Sequence, residues 1–173
     1  MGANTTTNAN TYVSKVAIEV VRESLHFSAA HFTIFSATKR ERIHGHNFRL
    51  NGIFECEVDS NGLCFDYGDL KQVLQSLCDS LDELFLIPAD SPYLDISTQG
   101  KSTHVTFNDE TISVPTQDIR LLPLRNITVE ELANWVALQL ANDKNFQSLG
   151  ISKMTIKVAS GSAQWGVVDK DLN

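Results

Sequence analysis

NFRLNGIFECEV, residues 47–58, alternates with period two. Phe48, Leu50, Phe54, Cys56 and Val58 take the even positions, with Gly52 completing the series. Asn47, Arg49, Asn51, Glu55 and Glu57 take the odd ones. Successive side chains of a strand point to opposite faces, so this stretch predicts a β-strand with one packed face and one wet face. Upstream, KVAIEVV from Lys15 runs on to LHFSAAHF, with Val16, Ile18 and Val20 at the alternate positions that one strand face requires.

Downstream, Asp59-Ser-Asn-Gly62 is a turn signal. A helix is expected from about Asp66, where Asp66 can cap the first turn and Asp69 suits the positive end of the helix dipole. Leu70, Val73, Leu74, Leu77 and Leu81 form its apolar stripe. Thr103 to Val114 alternates around Asn108-Asp109 and predicts a β-hairpin inside an inserted excursion at about residues 87–125. Thr128 and Glu131 stand at capping-box spacing and open a second helix, whose buried face is Leu132, Trp135 or Val136, and Leu140. KMTIKVAS forms another strand through Met154, Ile156 and Val158, followed by a shorter apolar run from Trp165 to Val168. Helices grouped between strand pairs favour an α+β domain built on an antiparallel sheet over a doubly wound parallel one.

The chain has 173 residues and is 42% hydrophobic, enough for one domain with a core at about 13–173. Residues 1–12 (MGANTTTNANTY) have no apolar periodicity and are expected to be a disordered tail. With 14 Lys and Arg against 21 Asp and Glu, the formal net charge of -7 argues against a diffuse grip on nucleic acid and for a small-molecule partner. No apolar run approaches the ~20 residues that span a bilayer, and the N-terminus lacks a secretory layout, so no membrane association and a cytoplasmic location are expected. Cys56, Cys64 and Cys78 are odd in number and widely spaced, which argues against a disulfide framework.

His31 is followed, twelve residues on, by His44-Gly45-His46. Two residues apart on an extended chain, His44 and His46 project from one face, and His31 joins them if its strand pairs alongside. Three neutral imidazoles leave one tetrahedral position open, as catalytic zinc sites do. Imidazole-only ligation also suits copper, iron or nickel, and any single histidine at a strand end commonly does no more than hydrogen-bond backbone. His26 has the opposite parity to His31 and is expected to face away from the cluster, and His104 falls in the inserted hairpin.

FSAAHF at Phe27 to Phe32, then HGHN at His44 to Asn47, resembles the 6-pyruvoyltetrahydropterin synthase and 6-carboxytetrahydropterin synthase family. The resemblance continues through Gly62-Leu-Cys-Phe-Asp66, Ser80-Leu-Asp-Glu-Leu84 and Thr128-Val-Glu-Glu-Leu-Ala-Asn-Trp135, leaving out only the tail and the insertion. It implies a tunnelling fold (T-fold) assembled into a ring homo-oligomer, commonly a homohexamer. It also implies Zn2+ on His31, His44 and His46, and lyase chemistry on a dihydroneopterin triphosphate-like pterin, with the metal polarising side-chain oxygens.

Three of the family's functional residues are replaced. The segment Ala37-Thr-Lys-Arg-Glu-Arg-Ile43 has no cysteine, Leu81-Asp82-Glu83 has Glu83 where a histidine is usual, and Ser160 stands near the position of the pterin-binding glutamate. Glu41 gives E-x-x-H-G-H, a pattern in a subset of the family that implies cleavage to 6-hydroxymethyl-dihydropterin. In that reading Glu41 is the general base, a role for which burial and neighbouring charge can tune a carboxylate. The alternative is a charged loop residue within Lys39-Arg-Glu-Arg42, a run that itself either steers a triphosphate or is a solvated face. Asp82 is the second candidate for proton transfer, the alternative being a cap, while Glu130 and Ser160 are candidate substrate-binding groups. Cys64 and Cys78 are expected to be packing residues. Beside the lyase stands a divergent paralogue that binds metal and ligand without catalysis.

Overall fold

The computed structural model describes residues 14–172, so the expected tail at 1–12 lies outside the described residues. In chain order the elements are β1 (Lys15–Val20), β2 (His26–His31), β3 (Ile34–Ser36), β4 (Lys39–Arg40), β5 (His44–Glu57), α1 (Tyr67–Asp79), β6 (Leu84–Pro88), β7 (Leu94–Gln99), β8 (Ser102–Phe107) and β9 (Glu110–Pro115). A 3-10 turn at Thr116–Asp118 then leads to β10 (Ile119–Leu122), α2 (Val129–Asn142), α3 (Lys144–Gln147), β11 (Lys153–Ala159) and β12 (Trp165–Asp171). The fold is α+β on a mostly antiparallel sheet, as the alternation predicts.

β5 organises the sheet. Its 14 residues accept β2 along the first half, with His31 opposite His44 and Phe27 opposite Phe48, and β1 along the second, with Val20 opposite Gly52. The single N-terminal run read from the sequence is therefore two strands, broken at residues 21–25 and laid end to end on one partner. β11 covers the other side of β5, and β12 pairs with β11.

Even positions of β5 face the helices: Phe48, Leu50, Phe54 and Cys56 are buried, and Phe27 stacks on Phe48 with ring centres 5.0 Å apart. A Cβ on Gly52 would lie 2.5 Å from the Phe54 ring, so the gap in the apolar series is room for a neighbour. α1 begins at Asp66, whose carboxylate accepts the Gly68 amide, and buries Leu70, Val73, Leu74 and Cys78. Leu81 is also buried, but beyond the helix end. α2 begins at Thr128, whose hydroxyl accepts the Glu131 amide. The reciprocal bond of a capping box is not made among the described residues. Trp135 and Val136 are both buried.

The excursion is larger than a hairpin. β8 and β9 pair around Asn108, which has φ 53, as the Asn-Asp signal predicts, and β7 adds a third strand. β6 joins the main sheet parallel to β2, and β10 returns parallel to β6. The sheet of β7, β8 and β9 packs through Val105 and Phe107 against Phe32, Ile34, Phe85 and Ile87, a second core apart from the one under the helices.

Gly166 on β12 is a close approach. A Cβ there would overlap the Val129 carbonyl and lie 2.8 Å from the Glu130 amide nitrogen, both in the backbone at the start of α2. Backbone cannot step aside as a flexible side chain can, so Gly166→Ala is expected to destabilise by about 2 kcal/mol. A urea midpoint that does not move would show that α2 is free to shift outward.

Candidate metal centre

His31 ends β2 and His44 begins β5, and the antiparallel register sets them opposite each other, with Ala29 opposite His46. The three imidazoles converge, with one ligand atom of each within 4.8 Å of the others. Beneath them lies Phe48, met edge-on by His31 and His46 at ring-centre distances of 5.5 and 5.7 Å. These three histidines form a group that could hold a metal ion, and two details test the fit.

The first is a bare nitrogen. His31 is only 5% exposed, its Nδ1 lies 3.1 Å from the Ile127 carbonyl, and its buried Nε2 has no partner. A carbonyl can only accept, so Nδ1 carries the proton and Nε2 presents a lone pair. Such a buried acceptor costs stability unless something satisfies it. The second is a facing pair. His44 Nδ1 donates to the Arg42 carbonyl at 2.8 Å, which leaves its Nε2 as an acceptor 3.1 Å from His46 Nε2. Zinc–nitrogen bonds of 2.0–2.1 Å place two tetrahedral ligands about 3.3 Å apart. The residues fit a cation that three imidazoles share.

Electrostatics favour the same state. Burial, then the neighbouring His44 and His46, lower the His31 pKa to about 4, against the opposing hydrogen bond to the Ile127 carbonyl and the nearby Glu41. The ring is neutral at neutral pH, the form that ligates.

Glu41 lies beside the cluster, its Oε2 3.9 Å from His44 Nε2 and 3.1 Å from the donating Thr33 amide. Burial pushes its carboxyl up, but hydrogen bonding from Thr33 and the nearby His44 and His31 outweigh that and hold it below the usual glutamate range. The net tuning is thus downward, and Glu41 is a carboxylate at neutral pH.

The remaining sequence candidates are placed differently. Asp82 accepts the Ser28 amide at 2.6 Å, a contact that ties the turn before β6 to β2 three residues ahead of His31. Glu83 follows with φ 57. Glu130, exposed in the first turn of α2, follows the Ile127 carbonyl that holds His31 by three residues. Ser160 follows β11, where Ala159 is opposite Arg49, so it too lies at the histidine end of the sheet. His26 pairs opposite Arg49 on the other face, and half-buried His104 sits within β8. Burial pushes the Cys56 and Cys78 thiols up to about 12, and all three cysteines are free.

Asn126 escapes a sequence reading. Its Oδ1 accepts the Ile34 amide at 3.0 Å and its Nδ2 donates to the Ile34 carbonyl at 2.8 Å, clamping β3 to the segment that supplies the Ile127 carbonyl. The only signal available was a lone Asn just ahead of a helix cap.

A tri-histidine cluster thus lies at one end of a mostly antiparallel sheet backed by two long helices. The family model for 6-pyruvoyl tetrahydropterin synthase matches residues 19–168, and the chain belongs to that family. It is 28% identical over 153 residues to a Methanocaldococcus jannaschii protein provisionally named a 6-carboxy-5,6,7,8-tetrahydropterin synthase, covering 86% of this chain and 91% of that one. The solved 6-pyruvoyl tetrahydropterin synthase of Plasmodium falciparum superposes with a TM-score of 0.84 at 25% identity, covering 91% of this chain and 99% of that one. The Plasmodium vivax synthase gives 0.84 at 24% identity over 91% and 98%. That protein has also been solved with a glutamate described as a catalytic residue replaced by alanine and by cysteine. The fold is the tunnelling fold of these synthases, and membership supports an enzyme of the tetrahydropterin synthase type with a pterin-like substrate. No helix among the described residues is long and apolar enough to cross a membrane.

Removing one imidazole of three should abolish tight metal retention. Elemental analysis after dialysis is expected to find about one zinc per chain in the wild type and less than about a tenth of that in His31→Ala or His44→Ala. Added zinc is expected to raise the Tm of the wild type but not of His44→Ala.

Proposed function

We propose that the chain is a zinc-dependent lyase that cleaves a dihydroneopterin triphosphate-like substrate to 6-hydroxymethyl-dihydropterin. The observation that carries this is Glu41, whose carboxylate stands beside the three-histidine cluster in a chain without the family's usual cysteine. Zinc is the metal proposed because three imidazoles with one open position suit it, and when bound it supplies Lewis-acid polarisation of a side-chain oxygen. A catalytic glutamate in the Plasmodium vivax synthase supports a carboxylate as the reactive group in this family.

The chain's own part is proton traffic and positioning. Glu41, ionised and held through Oε2 by the Thr33 amide, takes the proton of the hydroxyl on the second side-chain carbon. The bond between the first and second side-chain carbons breaks, the second carbon leaves as an aldehyde with the phosphates, and the electron pair remains on the first carbon, conjugated with the pterin. Protonation of that carbon by the same glutamate gives the hydroxymethyl product, so atoms and charge balance. Asp82 is already bonded to Ser28, which supports an anchoring part for it rather than proton transfer. Glu130 and Ser160 are proposed to meet the pterin at the end of the sheet. Lys39 and Arg42, both exposed, are the members of the basic run left to attract phosphates. A ring homo-oligomer and a cytoplasmic setting complete the reading.

The test is incubation of purified, zinc-loaded protein with dihydroneopterin triphosphate and chromatography of the products. 6-Hydroxymethyl-dihydropterin is expected, and Glu41→Gln should lower its formation by about 100-fold or more while zinc content stays the same. A pyruvoyl or carboxy product would assign another reaction. No product with zinc bound would favour the non-catalytic metal- and ligand-binding relative.

A further inference from the structure

Glu41 is held at its amide, its carbonyl and one carboxylate oxygen. Its amide donates to the Thr33 carbonyl at 2.9 Å, its carboxylate accepts the Thr33 amide, and its own carbonyl accepts Arg40 Nη1 at 2.9 Å. Thr33 lies two residues beyond His31, so two of these contacts are local to the metal centre. The third leads elsewhere. The Arg40 guanidinium carbon lies 5.1 Å from the centre of the Phe32 ring and 5.7 Å from that of Phe107, and Nη2 donates to Glu110 at 2.7 Å. Phe107 ends β8 and Glu110 begins β9, so both belong to the inserted sheet.

One side chain therefore joins three parts of the molecule: the residue after His31, the backbone of Glu41, and the turn of the insertion. The chemistry suits this task. A guanidinium offers donors in a fixed planar fork and an apolar face to each ring, so engaging both ends of the fork sets the position of whatever each end holds. Neither contact looks selected for stability. The Arg40 side chain is 15% exposed but that of Glu110 is 71% exposed, which makes the ion pair a weak one. Arg40 Nε is buried without a partner, a cost that an apolar residue would avoid. What the arrangement supplies is geometry. The second core, in which Phe32 and Phe107 share a cluster with Ile34 and Phe85, keeps the inserted sheet from drifting away from this loop.

We propose that Arg40 is a positioning residue for Glu41, and that the inserted sheet acts through Glu110 and Phe107 to hold the Glu41 carboxylate against the histidine cluster. The catalytic half of this rests on the lyase reading, whereas the mechanical half does not. The insertion is thus part of the site's construction, although it brings no group to the metal.

Two substitutions separate the fork from the fold. Arg40→Lys keeps charge and length but cannot span both partners, and Glu110→Gln changes one exposed side chain and leaves the core intact. In zinc-loaded full-length protein, Arg40→Lys is expected to lower kcat about tenfold or more and Glu110→Gln by a few-fold, with KM and zinc content unchanged. In a Glu41→Gln background, neither substitution should reduce the residual turnover further, because positioning acts through the carboxylate now absent. Additive losses in that background, or an unchanged kcat in Arg40→Lys, would overturn the proposal.

Amide hydrogen exchange gives a second readout that needs no turnover. Both substitutions should speed exchange at Thr33 and Glu41 and leave the Leu50 amide in the middle of β5 unchanged. If the wild type converts no substrate, the lyase reading has failed, and exchange alone decides the mechanical link. Unaltered exchange at Thr33 and Glu41 in both variants would sink it.

Discussion

A strand offers its side chains two directions and no others, and β5, 14 residues long, commits one of them to the helices from Phe48 onward. Phe48, Leu50, Phe54 and Cys56 fill that face, and the same parity carries back to His46 and His44. The histidine cluster is thus the continuation of the core pattern past the point where the helices stop covering the sheet. β2 repeats the arrangement in antiparallel register, with Phe27 and Ala29 buried and His31 last. A slip of one residue in either strand would turn its histidines to the opposite face, where Ser28, Ala30, Gly45 and Asn47 now lie. Core packing therefore specifies the geometry of the histidine cluster: the register that buries Phe27 against Phe48 is the register that brings His31 to His44.

Building the cluster as an extension of the core has an electrostatic consequence. Phe48 lies under the imidazoles and burial keeps His31 neutral, so no proton competes for its free nitrogen at neutral pH. Hydrogen bonds from Nδ1 to the backbone carbonyls of Ile127 and Arg42 choose the tautomer of His31 and His44 and direct Nε2 inward. One of those carbonyls comes from the segment ahead of α2 and the other from the loop of Glu41. The cluster is consequently sensitive to both, and Asn126, which clasps Ile34, connects them.

Much of this was legible in the sequence because it rests on local rules. Alternation gave β5 and β11, an Asp and a Thr at cap positions gave the starts of α1 and α2, and H-x-H on an extended chain gave two histidines on one face. What escaped depends on partners far away in the chain. β6, LFLIP, is a short apolar run whose burial pattern shows no alternation, and such a run reads equally as strand or buried helix. The break between β1 and β2 is set by the length of β5, which accommodates both. Asn126, Thr33 and Arg40 act through hydrogen bonds to backbone and through aromatic contacts, for which a one-dimensional pattern has no period. The downward tuning of Glu41 was illegible for the same reason, since the Thr33 contact depends on how β3 and β4 close.

The direction from which a substrate can come follows from these placements. The helices occupy one face of the sheet, and the inserted strands pack over the β6 edge on the other. A cavity of about 650 Å3 remains on that second face, lined by Ser28, Asn47, Glu83, Val114, Asp118 and His46 among others. Yet the bare Nε2 of His31 and the Nε2 of His44 that faces His46 lie on the helix side of the strands. A sheet is closed to a molecule the size of a pterin, so the cluster is open only past the strand ends. At that end Asn126, ahead of α2, clasps Ile34, and Gly166 at the start of β12 packs against the backbone of Val129 and Glu130. Chemistry gathered at strand termini can be revised by changing loops while the core pattern stays fixed. Under that constraint this chain can dispense with the family's usual cysteine, histidine and glutamate and still keep its fold and its three imidazoles.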